Sequence, residues 1–207
     1  MSGKYRVKDH LFHKAKQEGY RSRAAYKLEE LDDKYHFLKL GGLVLDLGCS
    51  PGGWLQVAAS RVGPKGKVVG VDLKPVPEFK ANEIAGSYEC ISAKPVVIVG
   101  DILSSAICGA AVQEFGGKVD VVLSDMSPNL SGIRDRDVMM SVKLVEATFQ
   151  LASEFLKAGG TVVAKIFPGQ ESDELYRQLK LSFPNIRRVE LKASKKTSKE
   201  FYLIARK

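Results

Sequence analysis

Leu43 to Trp54 reads LVLDLGCSPGGW, and this stretch decides the fold. An apolar run carries Asp46 near its end, glycines follow at 48, 52 and 53, and a helical pattern opens at Gly53. Strand, glycine-rich turn and helix in that order form the first unit of an open α/β sheet. Such sheets bind ligands at the carboxyl ends of their strands. Glycine lets the backbone turn tightly and approach a ligand, because no Cβ stands in the way. The spacing is G-x-x-x-G-G rather than the G-x-G-x-x-G of a dinucleotide site, and no G-K-[ST] phosphate loop is present. Both features argue against a nicotinamide dehydrogenase.

Working outward, short apolar runs alternate with helical patterns. The runs are Leu43–Leu47, Lys67–Val71, Val96–Val99, Val119–Ser124 and Thr161–Ile166. Helical patterns fall near Gly53–Arg61, Ser104–Phe115, Val138–Lys157 and Ser172–Leu181. The alternation predicts a parallel sheet covered on both faces. Two final runs, Arg187–Leu191 and Phe201–Ala205, leave no room for a crossover helix between them, so they pair antiparallel. The expected fold is therefore α/β, a mostly parallel doubly wound sheet with a C-terminal antiparallel hairpin, the form of a Rossmann-like methyltransferase. Upstream, Ser22 to Phe37 reads as a helix with Ser22 as its N-cap. Phe79 to Cys90 has a helical pattern weakened by Pro75, Pro77 and Gly86. We expect one domain over 1–207, with a basic helical extension at 1–40 and the Rossmann-like core at 41–207.

Three strand runs end in carboxylates, Asp72, Asp101 and Asp125. One aspartate after a strand is usually a turn residue; three in series at the ligand edge ask for a functional reading. Asp72 is suited to accept hydrogen bonds from both hydroxyls of an adenosine ribose, and Asp101 to meet the adenine amino edge. Trp54, the only tryptophan, serves either as core packing or as a wall for the methionine part of such a ligand. Lys165 ends the apolar strand TVVAKIF, where an unpaired buried lysine is rare. Lys27 reads by default as solvated, and Glu200 as an edge-strand charge.

The net charge of +8 gathers at the two ends. Residues 1–39 hold ten Lys and Arg against six Asp and Glu; residues 187–207 hold eight against two. A basic surface attracts polyphosphates through counterion release, so nucleic acid is the leading partner if both ends share a face. Arg21, Arg23, Lys195, Lys196 and Lys199 are the expected phosphate contacts. Cys49, Cys90 and Cys108 form no C-x-x-C pair, which argues against a zinc site or a disulfide framework. With no signal-like start and no membrane-length apolar stretch, the expectation is a cytoplasmic protein with no metal requirement.

RSRAAYKL at 21–28, DLGCSPGGW at 46–54, LSDMSPN at 123–129, AKIF at 164–167 and SKEFY at 198–202 resemble the FtsJ/RrmJ family. These methyltransferases modify a uridine ribose of large-subunit (23S) ribosomal RNA. The resemblance implies S-adenosylmethionine as cofactor and RNA as substrate. It implies a catalytic tetrad at Lys27, Asp125, Lys165 and Glu200, and cofactor contacts at Gly52, Trp54, Asp72, Asp101 and Asp125. Cys49-Ser50 stands where two alanines are common, Ser127 stands where alanine is usual, and the stretch from Pro75 to Pro95 is longer than in bacterial members.

Methyl transfer from a sulfonium is an in-line displacement, so alignment carries much of the rate. A ribose 2′-hydroxyl needs a base to draw off its proton. A lysine can do this only when neutral, a form favoured by burial or by a neighbouring cation such as Lys27. A transfer-RNA anticodon loop or an mRNA cap as substrate would share every motif. A non-catalytic ribosome-assembly factor would be favoured by loss of a tetrad residue, and none is lost.

Overall fold

The computed structural model describes residues 10–80, 93–194 and 200–207. Thirteen elements follow in chain order: α1 (His10–Gln17), α2 (Ala25–Tyr35), β1 (Leu43–Leu47), α3 (Gly53–Val62), β2 (Lys67–Asp72), β3 (Val96–Val99), α4 (Ser105–Gln113), β4 (Val119–Ser124), α5 (Arg134–Phe155), β5 (Leu156–Ile166), α6 (Gln170–Ser182), β6 (Arg187–Val189) and β7 (Phe201–Arg206).

The strands form one seven-stranded sheet in the order β3-β2-β1-β4-β5-β7-β6. β1 to β5 are parallel, and β7 is antiparallel to both β5 and β6. Alternate side chains separate to two apolar faces. Val44, Val121, Leu123, Tyr202 and Ile204 pack with α2 and α3, whereas Leu45, Val122, Val162 and Leu203 pack with α5 and α6. Both faces are covered, which is why β1 and β4 are nearly continuous apolar runs. Strand order reverses between β1 and β4, and such a reversal opens a crevice at the carboxyl ends.

The hairpin reading holds for β6 with β7, but β7 also inserts between β5 and β6. Boundaries moved at several elements, most at α2 and β5. α2 begins at Ala25, not Ser22; the Ser22 carbonyl instead accepts the Ala25 N–H at 3.2 Å in a preceding turn. β5 starts at Leu156 rather than Thr161 and tolerates Gly159 at φ 78°, with a register shift against β4 at Val119/Val121. α1 falls inside the helical extension expected at 1–40, as a helix separate from α2. Of the helix expected at 79–90, residues 81–90 lie outside the described part, and Phe79 and Lys80 are irregular. No helix among the described residues is long and apolar enough to cross a membrane.

Candidate active site

A cleft of about 430 Å³ opens at the β1/β4 crevice. Gly48, Asp72, Lys74, Asp101, Asp125 and Met126 are among its walls. Gly48 sits at φ 77°, and a Cβ there would run into the Met126 side chain. A glycine is thus required for the loops after β1 and β4 to close on each other. Asp72 is held from both sides: the Ser50 N–H donates to Oδ2 at 2.9 Å and the Lys74 N–H to Oδ1 at 2.8 Å. Each oxygen has a further lone pair for a ligand. Asp101 accepts the Leu103 N–H at 2.9 Å through Oδ1.

Beside Asp125 the four tetrad residues come together as two ion pairs. Lys165 Nζ lies 3.0 Å from Asp125 Oδ1 and donates to the Asp125 carbonyl at 2.6 Å. Lys27 Nζ lies 2.5 Å from Glu200 Oε1, which also accepts the Ser194 hydroxyl at 2.9 Å. Lys27 is only 9% exposed and Lys165 8%, so neither is the solvated lysine that Lys27 resembled in sequence. Tyr202, directly opposite Lys165 in the β5–β7 register, donates its hydroxyl to Asp125 Oδ1 at 2.6 Å. The sequence assigned Tyr202 no role, because its register beside Lys165 appears only with the strand order of the sheet.

Burial alone would raise the Asp125 pKa. The Lys165 and Lys27 ammoniums and the Tyr202 hydroxyl outweigh it and hold the group below the usual carboxylate range. Asp125 is therefore a carboxylate. Asp46 is its opposite: it is fully buried at the end of β1, and neither oxygen has a hydrogen-bond partner. Burial, then Asp125 and Asp72, push its pKa well up and favour its protonated, uncharged form. The same burial, with the Asp72 carboxylate nearby, raises the Cys49 thiol and disfavours its reactive thiolate.

The remaining expected residues support the site from behind. Gly52 and Trp54 do not line the cleft. Gly52 takes φ 110° ahead of α3, with Arg21 and Phe79 close against it. Trp54 is buried, stacks at 5.9 Å on Tyr202, and donates its indole N–H to the Ala24 carbonyl at 2.8 Å, so its side chain packs in the core. Arg21 donates to the carbonyls of Pro77 (2.7 Å) and Glu78 (2.8 Å) and stacks on Phe79 at 3.7 Å. Arg23 donates to the Ala193 carbonyl. Both arginines, read in sequence as phosphate contacts, clamp loops together. Lys195, Lys196 and Lys199 lie outside the described residues. No cluster of His, Cys, Asp or Glu among the described residues could hold a metal ion.

The profile of the FtsJ-like methyltransferases matches residues 20–207. The chain belongs to that family. Relatives named ribosomal RNA large subunit methyltransferase E are similar along nearly the whole chain. The Haloarcula marismortui protein is 43% identical and covers 100% of this chain and 76% of its own length. The Syntrophobacter fumaroxidans protein is 44% identical, over 97% of this chain and 95% of its own. A crystal structure of a putative ribosomal RNA methyltransferase from Plasmodium falciparum superposes with TM-score 0.72 at 30% identity, covering 90% of this chain and 97% of that one. This chain is thus an FtsJ-like methyltransferase.

Proposed function

We propose that this methyltransferase uses S-adenosylmethionine to methylate a ribose 2′-hydroxyl, on a uridine of large-subunit (23S) ribosomal RNA. The observation that carries the reading is the position of Asp125. It lines the cleft and is also paired with Lys165, so a donor in the cleft and a hydroxyl at the lysines meet at one residue. The cleft suits that donor. Among the described residues lining the cleft, Asp72, Asp101 and Asp125 face one cation, Lys74, which favours a cationic ligand and opposes a pyrophosphate. Asp72 and Asp101 would hold the adenosine, and the bound cofactor supplies an electrophilic methyl group.

The residues then divide the work. Lys165 removes the hydroxyl proton after shedding its own, and Asp125 and Tyr202 fix its direction. Lys27, held by Glu200, keeps a positive charge beside the developing oxyanion. Gly52 shapes the turn, and Trp54 braces Tyr202 from the core. RNA as the substrate class, and ribosomal RNA within it, rest on the family and its named relatives, together with the basic ends of the chain.

Ribose methylation mapped across the RNA of a deletion strain tests the reading. Loss at one uridine of the large-subunit RNA, restored by the wild-type gene, is expected. An unchanged ribosomal map with a lost transfer-RNA or cap methylation would overturn the substrate.

A further inference from the structure

The two basic ends of the chain meet twice. One meeting is at the active site, through Lys27 with Glu200 and Arg23 with Ala193. The other is at the opposite edge of the sheet. In the β5–β7 register Lys165 faces Tyr202 at one end and Thr161 faces Arg206 at the other. Four residues of strand separate them, about 13 Å. At that far edge the end of α2 and the start of β6 enclose a hollow of about 310 Å³, lined by Tyr35, Phe37, Asn185, Arg187 and Arg206 among others. An adjoining hollow shares Phe37 and Arg206 and adds His36 and Lys39.

Charge here is left unanswered. Arg187 and Arg206 are exposed and have no ion pair or hydrogen bond from their side chains to a described residue. Their neighbour Arg188, on the other face, pairs with Asp173 at 2.7 Å and stacks on Tyr176 at 4.2 Å. Asp120 is the only acid among the described residues lining either hollow, and Lys157 and the Leu43 N–H already occupy it at 2.8 and 2.9 Å. Lys34 stands over the Tyr35 ring at 5.2 Å and adds a further positive charge. Two free guanidiniums beside an aromatic ring and an amide side chain match the chemistry of an unpaired nucleotide. The phosphate suits the arginines, the base suits the ring, and the base edge suits the amide.

We propose that this hollow is a second RNA site, which holds an unpaired nucleotide of the substrate RNA remote from the nucleotide being methylated. Arg187 and Arg206 grip its phosphate, Tyr35 stacks its base, and Asn185 hydrogen-bonds its edge. The site anchors a folded RNA at both edges of the sheet, so a large structured substrate binds better than a short strand that reaches only the active site. The inference rests on RNA being the substrate.

Binding of deproteinised large-subunit ribosomal RNA, titrated across salt, tests it without relying on methyl transfer. Arg187→Ala/Arg206→Ala should flatten the log–log salt slope by roughly 0.7–0.9, the loss of one neutralised phosphate. Tyr35→Ala should weaken binding severalfold at an unchanged slope, because stacking releases no counterions. Lys180→Ala, an exposed charge on α6, should leave the slope alone and control for general electrostatics. Cofactor affinity should stay at the wild-type value in all three. A double-arginine variant with the wild-type slope, or a Lys180 variant with an equal change, overturns the site. RNA bound with these dependences but never methylated would instead fault the proposed reaction and leave the site standing. Methylation with an unchanged KM in the double variant would do the reverse.

Discussion

The two ion pairs of the active site are built in different ways. Lys165 and Asp125 come from neighbouring strands, 40 positions apart, and the register of β4 against β5 brings them together. Lys27 and Glu200 are 173 positions apart, one on α2 and one just before β7. Their pair exists only when the two ends of the chain are docked. The first pair is fixed by the sheet; the second is itself part of the docking. Function and stability should therefore divide unequally between them, with Lys165 variants losing mainly rate and Lys27 variants losing more of the fold.

The largest effect is expected at Lys165. Lys165→Ala should reduce single-turnover methyl transfer by roughly 10²–10⁴, the range of a lost general base. Stability should fall too, because Asp125 loses its nearest ammonium, but by less than at Lys27, since the Tyr202 hydroxyl and Lys27 still face Asp125; cofactor affinity should change little. Lys27→Met strands the buried Glu200 carboxylate, and breaking a buried pair from one side costs about 3–5 kcal/mol. Denaturant titration should show that loss, and Lys27→Met/Glu200→Leu should recover most of it without recovering activity. Recovery of activity as well would mean that the second pair is only a strut.

How much of this was legible in sequence follows the same division. Features generated by strand periodicity could be read: LVLDLGCSPGGW as a binding turn, Asp72 and Asp101 after their strands, Lys165 at the edge of an apolar run. Features generated by distant contacts could not. Helical spacing places Lys27 on α2 but does not tell that α2 lies against β7, so its burial is invisible without the fold. An aromatic early in a helix, such as Trp54, suits core or ligand wall alike; the indole bond to Ala24 places its side chain in the core. Arg21 and Arg23 looked like phosphate ligands because sequence shows their charge but not the backbone carbonyls that engage them. The hairpin at 187–205 was clear as a pair, but the place of β7 between β5 and β6 was not, because local pattern carries no strand order.

Smaller effects sharpen the contrast within the cleft. Asp72→Ala should weaken S-adenosylmethionine by about 1.5–3 kcal/mol in calorimetry, the scale of hydrogen bonds to a charged group. Asp46 should give the smallest effect and one with a pH signature. Its folded pKa is raised, so its contribution to stability is full below the unfolded value and is lost as pH rises through the folded one. Asp46→Asn does not titrate. It should match the wild type within about 1 kcal/mol in mild acid and become the more stable protein as pH increases. A difference that stays constant across pH would show that Asp46 does not titrate over that range.

The central claim is that Lys165, aimed by Asp125 and Tyr202, takes the proton from the attacking hydroxyl. Single-turnover methylation of ribosomal RNA from about pH 6 to 10, in the wild type and in Lys165→Arg, tests it most directly, because arginine keeps the charge but does not release its proton at those pH values. The account predicts a wild-type rate that climbs with pH, and an arginine variant that binds cofactor normally, stays at least ~10²-fold slower and loses the climb. An arginine variant within about tenfold of the wild type, with the same pH dependence, would contradict it and leave alignment as the source of the rate.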